Sequence, residues 1–82
     1  ILDVGEVLLS DRFAVVRCPP GMRTHAPFLM QWSEQGWQLD FVTMSKVVGF
    51  NHRNQWFFRN RKHSYMFAFA DWAFDSHGFP QP

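Results

Sequence analysis

Hydrophobic and polar positions alternate along much of this chain, and the phase of that alternation predicts most of its elements. Residues 1–10, ILDVGEVLLS, are apolar with one glycine and two acids. They fit either an edge strand or a short helical lead-in. Arg12 to Cys18 reads as a strand, with Phe13, Val15 and Arg17 on one face and Ala14, Val16 and Cys18 on the other. Pro19-Pro20-Gly21 ends it, because proline cannot donate to a ladder and glycine allows a sharp turn. In THAPFLMQWSEQGW the apolar residues Phe28, Leu29 and Trp32 fall at helical spacing. Pro27 suits a first turn and Gly36 a C′ position, so the pattern predicts a helix over residues 25–35. Trp32 at C3 and Trp37 at C″ would then touch as the helix stops.

Trp37 to Met44 alternates again and predicts a half-buried strand, with Trp37, Leu39 and Phe41 on one face. SKVVGFNHRN reads as a loop or wide hairpin, Gln55 to Asn60 as a short strand, and NRKHS as a polar turn. Tyr65 to Trp72 reads as a further strand, and residues 73–82 as an irregular tail of a single domain covering 1–82. The outline is strand, helix, then three strands. It predicts an α+β fold, a single helix packed on one face of an antiparallel-rich sheet of about four strands.

Composition sharpens one point. Aromatic residues make up 18% of the 82 positions, ten of them Phe and four Trp, while charged residues are also only 18%. Such a chain is too apolar for disorder and too small for a thick core. Large rings suit a thin core, because each buries much area for two rotatable bonds. A ten-residue helix is about 15 Å long and covers one sheet face only. In the strand 65–72 the small Ala68 and Ala70 would let that helix approach, which places Tyr65, Phe67 and Phe69 on the opposite face. The terminal segments cover that second face, or it is an apolar interaction surface.

The cations are unevenly placed. Lys46, Arg53, Arg59, Arg61 and Lys62 are five of the eight, with no acid between Asp40 and Asp71. Trp56, Phe57, Phe58 and Tyr65 are interleaved with them. Cations along phosphates and rings under bases are what a single nucleic-acid strand requires. The plainer reading is a solvated turn beside core aromatics, and the net charge of +1 suits it better. No histidine or cysteine pair has metal-ligand spacing, and no catalytic constellation or phosphate-binding glycine loop occurs. The expectation is therefore no enzyme, no metal and no cofactor. One cysteine, Cys18, allows no internal disulfide and fits the cytoplasm. The longest apolar run, Tyr65–Ala70, is far too short to span a bilayer, and no signal peptide is evident.

FAVVRC, LMQWSEQGWQLDFVTMS and YMFAFAD in this order resemble the small bacterial DUF4177 family of unknown function. Phe13–Val16 matches its first strand, Leu29–Leu39 its helix with a Gly-Trp stop, and Tyr65–Phe69 its closing strand. The resemblance covers most of residues 12–70, although the segment between Met44 and Tyr65 is longer than the family pattern. It implies the same strand–helix–strand order and supplies no catalytic residues.

These readings converge on a non-catalytic protein–protein interaction module, such as an accessory subunit or an inhibitor of a larger machine. A homodimer is one form of it. The alternative is single-stranded nucleic-acid binding through residues 46–65. The expected contact residues are Arg53, Phe57, Arg59, Arg61, Lys62, Tyr65, Phe67 and Phe69, the types that concentrate binding energy at interfaces.

Overall fold

The computed structural model describes residues 5–82, and the first four residues of the 1–10 segment lie outside that range. The protein has an α+β fold in which antiparallel strands predominate. Four consecutive strands, β1 (Glu6–Ser10), β2 (Phe13–Arg17), β3 (Phe28–Ser33) and β4 (Gly36–Leu39), form a meander in the order β1-β2-β3-β4. A short helix α1 (Phe41–Val47) follows. Then come a hairpin of β5 (Val48–Phe50) and β6 (Trp56–Phe58), a 3₁₀ helix (Ser64–Phe69), and a hairpin of β7 (Ala73–Phe74) and β8 (Pro80–Gln81).

The strands expected over 12–18 and 55–60 are present as β2 and β6, and residues 6–10 take the edge-strand option. The helix expected over 25–35 is instead strand β3 and the turn into β4. Its start and stop signals are genuine but local, and a hairpin uses them equally well. Ser33 pairs with Gly36, which takes φ 97°, so the glycine that would stop a helix turns a hairpin here. Trp32 and Trp37 do meet, as a cross-strand pair with centroids 5.5 Å apart and ring planes 69° to each other. What selects the strand is β2, which pairs with β3 from Phe13↔Gln31 to Val16↔Phe28.

The strand expected over 37–44 stops at Leu39. Asp40 is the N-cap of α1, its carboxylate accepting from the Thr43 N–H at 3.1 Å. The strand expected over 65–72 is the 3₁₀ helix. Its buried residues are Tyr65, Ala68 and Phe69, spaced three and four apart as in a helix and not two apart as in a strand. The His63 ring caps it, Nδ1 accepting from the Tyr65 N–H. The tail expected to be irregular is pinned by Asp75, whose carboxylate accepts from the His77 and Phe79 N–H groups at 2.9 and 3.0 Å.

The core lies between one face of the meander and everything after it. Val15 and Leu29 are fully buried from the sheet side, and Tyr65, Ala68 and Phe69 close over them from the 3₁₀ helix. Phe13 meets the Tyr65 ring edge-on at 5.3 Å. Behind the 3₁₀ helix, Phe69 packs on Phe58 and Trp72 at 5.1 Å each, and Trp56 packs on Phe58 at 5.0 Å. The anticipated small residue, Ala68, does allow a close approach, but from the helix onto the sheet. The helix that covers the face is therefore a 3₁₀ turn after the sheet, not an α-helix of residues 25–35.

Arg17 ties these layers together. It points to the same face as Phe13 and Val15 and is buried. Its guanidinium donates to both Asp71 carboxylate oxygens at 2.9 and 3.2 Å, to Glu6 at 3.1 Å, and to the Ala68 carbonyl, and lies 5.0 Å over the Trp72 ring. Two substitutions test this framework by urea denaturation followed by tryptophan fluorescence. Arg17→Met keeps the apolar stem but strips a buried carbonyl of its donor, and should cost about 2 kcal/mol. Asp71→Asn should cost less, since Asp71 is largely exposed and the Ala68 and Glu6 contacts survive. Gly78 takes φ 91° with its Cα against the Phe58 carbonyl, so that any Cβ would overlap that oxygen. Gly78→Ala should cost at least about 2 kcal/mol, whereas Gly21→Ala, with open space around it, should change stability by no more than about 0.5 kcal/mol.

Candidate functional site

The residues expected to form a contact surface divide into two groups. Arg53, Arg59, Arg61 and Lys62 are exposed, whereas Tyr65 and Phe69 are core residues at 2% and 1% exposure. Phe57 and Phe67 are half-buried, with Phe57 on Phe79 at 5.0 Å. The placement of Tyr65, Phe67 and Phe69 together on an open sheet face is therefore corrected. The 3₁₀ helix turns Tyr65 and Phe69 inward because two rings at helical spacing cover the meander that a strand could not.

The cations also diverge. Arg53 sits in the β5–β6 turn, where the Asn51 carbonyl oxygen of the side chain accepts from the Arg53 and Gln55 N–H groups. Arg59 reaches back to the Ser45 carbonyl of α1 at 3.5 Å. Arg61 reaches the Asp75 carbonyl at 3.3 Å and lies 5.7 Å over Phe74. Lys62 follows the turn that Asn60 closes on its N–H. Trp56, Phe58 and Tyr65, the rings interleaved with these cations, are buried.

A different surface is present. Residues directly opposite in an antiparallel ladder share a face. The register Val7↔Val16, Leu9↔Ala14, Val16↔Phe28, Ala14↔Met30, Met30↔Leu39 and Trp32↔Trp37 therefore puts nine apolar side chains on the face away from the core. Among the described residues no charged residue occupies a strand position on it. Val7, Leu9, Phe28, Trp32, Trp37 and Leu39 are 38–64% exposed. At one end the face runs into a groove of about 340 Å³ lined by Val16, Cys18, His25, Phe28, Met44 and Phe50. At its β4 edge a second groove of about 470 Å³ runs to Phe41 and Val42 at the start of α1. The signal for this face is in the sequence: Phe28, Met30 and Trp32 alternate in phase with Trp37 and Leu39. The helical reading of 25–35 hid it.

The titrating groups are elsewhere. The Asp40 carboxylate caps α1 and accepts from the Tyr65 hydroxyl at 2.9 Å, so it joins α1 to the 3₁₀ helix. Burial alone would raise its pKa, but the Thr43 and Tyr65 donors with Lys46 outweigh that and hold it below the ordinary carboxylate range. Burial, with that same hydrogen bond, pushes the Tyr65 hydroxyl well up. Among the described residues no group of three or more His, Cys, Asp or Glu could hold a metal ion, and no helix is long and apolar enough to cross a membrane. No protein-family model, no curated protein and no solved structure matches the chain.

His63 gives a pH prediction. Burial lowers its pKa, and its Nδ1 must stay unprotonated to cap the 3₁₀ helix. The unfolded chain then binds a proton more readily than the folded one, so stability falls as pH drops through about 6.5. Thermal midpoints measured between neutral pH and pH 5 should decline in the parent protein. The decline should be shallower in His63→Asn, which retains a capping acceptor without the titrating ring.

Proposed function

We propose that this protein is a non-catalytic protein–protein interaction module whose contact surface is the open face of the four-stranded sheet. One observation carries the reading: an apolar, charge-free sheet face, framed by Trp32 and Trp37, with large side chains well exposed. Patches of this kind mark interaction sites, and depletion of charge with enrichment in Trp and Phe is the mark of interface centres. A partner that desolvates the Trp32–Trp37 pair gains the large, rigid area that makes tryptophan a frequent hot spot. The contact residues proposed are thus Val7, Leu9, Phe28, Trp32, Trp37 and Leu39, with Arg53 in the turn after Phe50 at the rim. An accessory subunit or an inhibitor works through such a face. Cys18 as the single, unbridged thiol suits a reducing cytoplasm.

Site-directed photocrosslinking tests the assignment. A benzophenone amino acid at Trp37 should yield protein adducts in cells of the native host, and the same probe at Lys62 should not. Adducts at position 62 alone would refute the sheet-face assignment. An oligonucleotide bound with steeply salt-dependent affinity and no protein adduct at either position would favour nucleic acid instead.

A further inference from the structure

We infer that the occupant of the open sheet face is a second copy of this chain, stacked face to face about a two-fold axis that crosses the strands. The inference rests on the reading of that face as a contact surface and adds the identity of what covers it. Three observations support it.

The first is charge. A two-fold interface brings each patch against itself, so a charged patch meets its like. The strand positions of this face carry no charge at all, so self-stacking meets no like-charge repulsion at its centre.

The second is the polarity of the two ends. The register places the β1–β2 and β3–β4 turns at the same end of the sheet, where the Trp32 N–H donates to the Arg12 carbonyl. Asp11 and Glu34 sit in those turns and outnumber Arg12. The opposite end borders the groove of Val16, Phe28 and Phe50. There the turn after Phe50 carries Arg53, and the Arg23 carbonyl accepts from the Trp56 N–H beside it; the two acids at this end are spent within the fold, Glu6 on Arg17 and Asp40 on the Thr43 N–H and the Tyr65 hydroxyl. An axis crossing the strands reverses their direction in the second copy. Each acidic end then lies over the other copy's basic end.

The third is area. Six side chains of this face are 38–64% exposed. At about 150–250 Å² per aromatic ring, and somewhat less per aliphatic chain, they offer on the order of 600 Å² per copy. Stacking removes it from both, roughly 1,200 Å² in all, which reaches the lower end of specific interfaces. Twisted antiparallel sheets pack in this way with strands about 30° apart.

Sedimentation equilibrium of the full chain across the micromolar range tests the inference. The parent protein should approach twice its chain mass. Leu9→Lys and Val7→Lys, both at positions 64% exposed, should weaken association at least about tenfold while the circular dichroism spectrum and thermal midpoint of the dilute protein stay unchanged. Asp11→Lys with Glu34→Lys, and separately Arg23→Glu with Arg53→Glu, should each self-associate less at low salt. Mixed, the two variants should pair more tightly than either does alone, by roughly fivefold. A dimer unaffected by both lysine substitutions, or a mixture showing no preference, overturns the arrangement. A monomer at every concentration whose position 37 crosslinks to a different protein overturns self-association and leaves the contact surface standing. A monomer with no adduct removes both.

Discussion

The Arg17 guanidinium is the point on which the layers of this molecule converge. It extends from the inward face of β2, takes Glu6 from β1, and meets Ala68, Asp71 and Trp72 from the far end of the chain. A buried cation is tolerable only when its donors are used, and here carboxylates, a backbone carbonyl and a ring face share them. That requirement fixes how the 3₁₀ helix lies on the sheet. Ala68 must stand close enough to offer its carbonyl, and a larger side chain at this fully buried position would lift it away. Tyr65, one turn before it, and Phe69, the next residue, then fall onto Phe13 and Phe58. The Tyr65 hydroxyl in turn reaches Asp40, so the start of α1 is set from the same centre.

The consequence is asymmetry. The later half of the chain spends its rings on one side of the meander: Trp56, Phe58, Tyr65, Phe69, Trp72 and Phe74 all pack there or behind it. The described part of the chain supplies no second layer. The surplus of aromatic residues seen in the composition is real, but it is located on β3 and β4, in Phe28, Trp32 and Trp37, rather than on the segment 65–69. The cation-rich turns fall at the periphery, with Arg59 on the Ser45 carbonyl and Arg61 on the Asp75 carbonyl and the Phe74 ring.

The legible parts of the sequence were those in which one period alone could be satisfied. Val15 and Val16 in β2 are β-branched and bounded by two prolines, and no helix competes. The β3 segment has no β-branched residue and opens with three apolar residues in succession, Phe28 to Met30, so periods of two and of 3.6 both find matches in Phe28, Leu29 and Trp32. Only pairing with β2, twelve or more residues away, decides between them. Tyr65–Phe69 presents the same ambiguity in reverse. The N-cap Asp40 lies inside an alternating run, and Val42 and Thr43 are β-branched, so the local pattern favours a strand there. The candidate site followed from these assignments. Among the described residues the outer face of the meander stays open, and which residues lie on it depends on which segment is the helix.

The clamp at Arg17 spans 54 residues to Asp71, whereas every ladder of the meander joins neighbours in sequence. Synthesis from the N-terminus therefore releases a sheet that can pair early and stays bare on both sides until Trp72 has emerged. During that interval Val15 and Leu29 are as exposed as Leu9 and Trp32. A nascent chain of this design exposes, for that interval, an apolar side that the finished fold seals. The order of the elements thus makes biogenesis, more than the finished molecule, the stage at which its adhesive surfaces are least controlled.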